Sequence, residues 1–201
     1  MKEKILNRAT DLFLTLGFKS VTMDDLAQEM GISKKTIYSH FKNKTMLVEE
    51  VTSKMFQEIT EGIDYIVSLK KNPIQELYEI KQLLLLRLKN EKSSPIYQLQ
   101  KYYPKLFENI KRKQFEITQG CIKENIETGI KEGIYRKNLN PDFISRIYFV
   151  GVSNLKDESY FPSTHFTMAN LMDDYLEYHL RGIVTPEGRK ILNEIINSNQ
   201  Q

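Results

Sequence analysis

Apolar side chains recur every three or four residues along almost the whole of this 201-residue chain. That spacing lines them up on one face of an α-helix. No stretch combines strand-like alternation with turn chemistry, so the fold class is all-α. The first stripe is Ile5, Leu6, Ala9, Leu12, Phe13 and Leu16, ended by Gly17 in the position a left-handed cap prefers. Thr22 is the expected N-cap of a short second helix, with Asp24 and Asp25 in its first turn, and Gly31 ends it. Ser33 caps a third helix from Lys34 to about His40, and Asn43 a fourth carrying Leu47, Val51, Met55, Ile59 and Ile63.

Prolines and glycines punctuate the remainder. Pro73 opens a helix to about Asn90, Lys92–Pro95 is a break, and a short helix to Tyr103 follows. Pro104 opens a long helix stopped by Gly133, and Asn140-Pro141 starts another to about Lys156. Phe161-Pro162-Ser163 breaks the chain before a helix from Thr164 to Arg181. Pro186 begins a short last helix, and the SNQQ tail is expected to fray.

Bulk properties narrow the setting. The one cysteine, Cys121, excludes an intramolecular disulfide and suits a reducing compartment. The N-terminus lacks the apolar run of a signal peptide. The longest apolar run, Leu83–Leu86, is far short of the roughly 20 residues a membrane span needs. A cytoplasmic protein with no membrane partner is expected. The net charge of +3 is strongly localised. Residues 1–30 sum to −1, residues 31–45 to +4, and residues 46–201 to zero.

The basic stretch, GISKKTIYSHFKNK, has two faces. At 100° per residue Ile37 and Phe41 share one side, joined by Ile32 at the turn, while Lys34, Lys35 and Tyr38 point away. Two helices joined at a glycine, the second short and basic, are the pattern of a helix-turn-helix. Held by its apolar side, such a helix fits the roughly 12 Å major groove. Lysine brings a charge to phosphate or a donor to a guanine edge, and the Tyr38 hydroxyl can donate to phosphate. Thr36 and Ser39 are short groups able to work close to bases or backbone, and His40 can touch phosphate. Lys44, in the first turn of a helix, opposes the dipole unless an anion sits there.

Residues 2–48 resemble the TetR family of bacterial transcriptional regulators. Gly17, Phe18, Thr22, Ala27, Gly31, Ser33, Tyr38, Phe41, Lys44 and Leu47 fall on the family's pattern in order. Lys35 departs from it, standing where the family most often has a small residue. The resemblance implies phosphate contacts for Thr22, Tyr38 and Lys44, and roles nearer the bases for Lys34, Lys35 and Thr36. The DNA-facing set is thus Thr22, Ser33, Lys34, Lys35, Thr36, Tyr38, Ser39, His40 and Lys44, in a DNA-binding domain spanning residues 1–47.

For residues 48–201 the resemblance is architectural. It implies a helical domain that dimerises through its last two long helices and often encloses a small-molecule pocket. The helices at 141–156 and 164–181 are apolar over much of their girth, as burial on two sides requires. Two from each chain would make a four-helix, two-fold interface using Ile144, Ile147, Tyr148, Leu171, Met172, Tyr175 and Tyr178. Such a homodimer would set its recognition helices about 34–36 Å apart on a palindromic site in double-stranded DNA. Leu84, Tyr97, Tyr102, Tyr103, Phe107, Phe115 and Tyr148 are the expected lining for a small apolar or amphipathic effector, though each suits plain packing too.

Two other classes compete. An enzyme finds little support: His40, His165 and His179 lack metal-site spacing, and Asp173 and Asp174 point about 100° apart on a helix. No metal or cofactor is expected. An all-helical adaptor for an acidic protein would use the same lysines without duplex DNA, and a DNA-binding regulator could also act with no effector.

Overall fold

The computed structural model describes residues 1–88 and 95–199. Most of the expected break at Lys92–Pro95, the expected helix end near Asn90 and the last two residues of the tail lie outside these. The described residues form α1 (Lys2–Leu16), α2 (Met23–Met30), α3 (Lys34–His40), α4 (Lys44–Ser68) and α5 (Pro73–Leu88), followed by α6 (Pro95–Tyr102), α7 (Pro104–Lys131), α8 (Pro141–Asn154), α9 (Met168–Ile183) and α10 (Pro186–Asn199). Among them the sole β-type pairing is an isolated antiparallel bridge between Tyr135 and Val184. They group into two compact units, residues 1–61 with 87–112, and residues 62–86 with 113–201.

In the first unit the apolar stripes meet in one core. Ile5, Ala9 and Phe13 of α1 pack with Leu26 and Ala27 of α2, Ile37 of α3, and Leu47, Val48 and Val51 of α4. Phe18, Val21, Phe41 and Leu99 complete it. Gly17 ends α1, but not as a left-handed cap. Its φ of 89° and ψ of 153° belong to a region open essentially to glycine alone. The Gln98 side chain occupies the space a Cβ would take there, and its Oε1 accepts from the Lys19 amide at 2.8 Å. The missing side chain thus leaves room for the Gln98 amide over the α1–α2 turn.

In the second unit α5 is buried around most of its girth. Ile74, Leu77 and Tyr78 pack with Ile122 and Ile126 of α7, Tyr148 of α8, Leu176 and Leu180 of α9 and Leu192 of α10. Several polar groups in this interior are paired. Asn125 donates to Glu76 Oε1 at 2.7 Å and to the Pro73 carbonyl at 2.9 Å, and Tyr135 donates to Asn125 Oδ1 at 3.1 Å. Burial raises the Glu76 pKa, although the Asn125 hydrogen bond opposes this. Lys81, only 2% exposed, pairs with Asp173 of α9.

Three boundaries differ from expectation. α9 starts at Met168 rather than Thr164, because Pro162 accepts from the His165 and Phe166 amides in a turn and Thr167 then caps the helix through the Asn170 amide at 3.2 Å. α8 ends at Asn154 rather than near Lys156. The last helix is not short, since α10 runs for 14 residues to Asn199, past the start of the tail expected to fray.

Candidate nucleic-acid interface

Local chemistry explains why α3 is a helix and how it is held. Ser33 Oγ accepts from the Thr36 amide at 3.1 Å, and Gly31 closes α2 in the left-handed conformation at φ 62°, ψ 32°. Only glycine takes that turn without strain. Ile37 and Phe41 are both fully buried, and Ile32 packs against the same core. Burial of one such side chain contributes roughly 1.5–3 kcal/mol, which fixes the rotation of a seven-residue helix that could not hold itself. The opposite side stays in solvent: Lys34, Lys35, Ser39 and His40 are exposed, and Tyr38 is 41% exposed.

Polar groups on this face are partly committed. The Thr36 and Ser33 hydroxyls lie 2.8 Å apart, and Ser39 donates to the Thr36 carbonyl at 2.7 Å. Thr22 is the hub of a full capping box. Its Oγ1 accepts from the Asp25 amide at 3.1 Å and Asp25 Oδ2 accepts from the Thr22 amide at 2.8 Å. These contacts set the Asp25 carboxyl below its usual range, chiefly through the Thr22 amide. They also fix the start of α2 after the α1–α2 turn.

Electrostatics in space differ from charge counted along the chain. Residues 31–45 hold no acid, yet Asp24 of α2 reaches Lys34 Nζ at 2.7 and 2.9 Å. That hydrogen bond raises the Lys34 pKa. Lys44 does not hang over the start of its own helix, which Asn43 caps through the Met46 amide at 2.9 Å. Instead its Nζ donates to the Lys19 carbonyl at 3.1 Å and lies 6.0 Å from the centre of the Phe13 ring. Desolvation, then the neighbouring Lys19 charge, lower its pKa, with Asp25 opposing. Lys19 was missing from the sequence-based set because nothing local ties it to Lys44, 25 residues away.

The comparisons bear on the same residues. Residues 5–51 match the family model described as bacterial regulatory proteins, tetR family. That span covers α1, the capping box, α3 and the start of α4. Over residues 5–51 the chain belongs to the tetR family of bacterial regulatory proteins. It is a DNA-binding regulator, not an enzyme. The regulator is 25% identical over 199 residues to the uncharacterized HTH-type transcriptional regulator YvaF of Bacillus subtilis, covering 93% of this chain and 97% of that protein. It is 22% identical to the HTH-type transcriptional repressor KstR2 of Mycolicibacterium smegmatis, over 94% of this chain and 93% of the other. In fold it is similar to a transcriptional regulator of Saccharomonospora viridis solved with choline, at a TM-score of 0.74 and 19% identity over 92% and 97% of the two chains.

The residues expected to line an effector cavity are not all brought together. Tyr103 and Phe107 pack on the first unit's core, while Tyr97 and Tyr102 of the same unit are exposed. Leu84, Phe115 and Tyr148 belong to the second unit. There Leu84 packs near Leu171 and Met172, and Phe115 meets Phe149 with ring centres 5.1 Å apart. Tyr148 stands edge-on to His179 at 5.0 Å. Sequence reading gave no role to His179, whose Nε2 is buried without a hydrogen bond.

The expected dimer residues also divide. Ile147 and Tyr178 point outward, but Tyr148, Leu171 and Met172 are buried within their own chain. Ile144 and Tyr175 are partly buried against the second unit's core. Tyr175 bonds back to the Ile147 and Tyr148 carbonyls at 3.3 and 3.2 Å, which directs it inward. Phe143 and Val150, not in the expected set, share the outward face of α8 with Ile147. Among the described residues no helix is long and apolar enough to cross a membrane.

Proposed function

We propose that this regulator is a ligand-responsive cytoplasmic repressor that binds a palindromic operator as a homodimer. The division of labour follows the expected boundary: residues 1–47 contact DNA, and residues 48–201 dimerise and sense. α4 runs through that boundary unbroken. The observation that carries the reading is the two-sided third helix. Ile37 and Phe41 are fully buried while Lys35, Tyr38, Ser39 and His40 face solvent beside Lys34.

In this reading Lys44 and Tyr38 meet phosphate, with Thr22 and Ser33 mainly shaping the turns. Lys34, Lys35 and Thr36 stand on the side of α3 turned to the duplex. Repression is supported by the name of the KstR2 relative. A small effector is supported by the choline complex of the structural neighbour. It is supported too by the orphaned His179 nitrogen between two tyrosine rings, which a ligand's polar atom would satisfy. Such an effector must bind two conformations of the dimer unequally to release DNA.

The test is a nuclease footprint on the DNA upstream of the regulator's own gene. Lys44→Glu and Tyr38→Ala should each weaken protection strongly. If both protect like the wild type, α3 is not the reading helix. Binding to acidic proteins but to no duplex would favour the adaptor instead.

A further inference from the structure

Among the described residues, the acid paired with α3 comes from outside it. Asp24 stands in the first turn of α2, ten residues before Lys34, and both of its oxygens accept from Lys34 Nζ. Its neighbour Asp25 is committed to the capping box, in which Asp24 takes no part. Both members of the pair are solvent-facing, Asp24 with its side chain 65% exposed and Lys34 53%. The Lys34 ammonium is also drawn back over its own Tyr38 ring, 5.9 Å from the centre. Lys35, one residue on and about 100° around the helix, has no ion pair among the described residues.

We infer that Asp24 tunes DNA binding by keeping Lys34 in an internal ion pair within the complex, so that Lys35 supplies the phosphate-directed charge of α3. This rests on the DNA-reading role given to α3 above. For Lys34 to reach a phosphate it would have to leave Asp24, and a bare carboxylate would then face the polyanion. Keeping the pair avoids that repulsion. A lysine that stays paired displaces no counterion from the duplex, and so adds nothing to the salt dependence of binding. One lysine is neutralised, and its neighbour delivers the charge from a different angle.

Salt dependence reads this directly, because each phosphate neutralised changes the slope of log affinity against log salt by about 0.9. The measurement uses the full-length protein and a fluorescein-labelled duplex covering the footprinted segment, titrated at several salt concentrations. Asp24→Asn should bind several-fold more tightly, with a slope steeper by about 1, as the freed Lys34 finds a phosphate. The double variant Asp24→Asn with Lys34→Gln should return to the wild-type slope. Lys35→Gln alone should lose about 1 from it. A wild-type slope in Asp24→Asn overturns the inference, as does a double variant shallower than wild type by about 1, since Lys34 would then already be on a phosphate. If Lys35→Gln and Lys44→Glu both keep the wild-type slope, the reading helix itself is misassigned. Thermal midpoints close to wild type establish that each variant folds.

Discussion

At the residue scale, α3 separates what holds the helix from what the helix does. Ile37 is fully buried among the first unit's core side chains, whereas Lys35 is exposed. Truncating Ile37→Ala should cost about 2–5 kcal/mol in a denaturant titration, since it removes packed methyl groups and leaves a cavity. Lys35→Gln should leave stability within about 0.5 kcal/mol and change only DNA binding. A second residue carries a pH signature. Burial lowers the His179 pKa from 6.5 to about 4, so the folded state resists protonation there. Its contribution is therefore complete above about pH 6.5 and is lost as pH falls towards about 4. Glu76 works in the opposite direction: its raised pKa means that acid relieves the cost of a buried carboxylate. His179→Phe keeps a ring beside Tyr148 and Tyr175 while removing the titrating nitrogen. Thermal melts from pH 7 to pH 4 should show a smaller loss of stability on acidification than in the wild type. An unchanged loss would mean that His179 does not titrate in this window.

At the element scale, legibility followed the range of the forces. α2 and α3 could be read to the residue because their determinants are local: a cap at Thr22 or Ser33, a glycine at 31, and apolar residues four apart. The start of α9 was misread because Phe166 continues the apolar pattern backwards. In the fold Phe166 belongs to a turn, edge-on to Phe161 at 5.6 Å. Which side of α9 faces its own chain was also hidden, since an apolar girth does not say where a partner sits. The Asp24–Lys34 pair and the Lys44–Lys19 contact were invisible for a related reason, as each is made through a turn by residues distant in sequence. The α1–α2 turn gives a test at this scale. Gly17→Ala meets two obstacles, a positive φ and the Gln98 side chain in the space of the new Cβ. It should destabilise by more than about 1 kcal/mol. Adding Gln98→Ala should recover only the steric part, because the backbone strain remains. Full recovery in the double variant would show that the strain at φ 89° is not limiting.

At the scale of the whole molecule, the question is what covers the outer face of α8 and α9. Phe143, Ile147 and Val150 are spaced four and three apart on α8 and are 57%, 47% and 53% exposed. Tyr178 of α9 is 79% exposed. Water-facing aromatic and branched side chains in a row mark an interaction surface more often than a free one. A second copy is the occupant consistent with a palindromic operator, because a two-fold axis through this face would pair like with like. Ile147→Arg places a charge at the middle of the stripe without touching the chain's own core. Light scattering should then show a monomer at concentrations where the wild type is a dimer, with the helical signal and thermal transition retained. The same variant should lose most of its affinity for a full operator, because binding one half-site forfeits the second set of α3 contacts. It should bind an isolated half-site as the wild-type protein does. A variant that stays dimeric would place the two-fold axis elsewhere, and one that becomes monomeric yet footprints a full operator normally would remove the dimer from the mechanism.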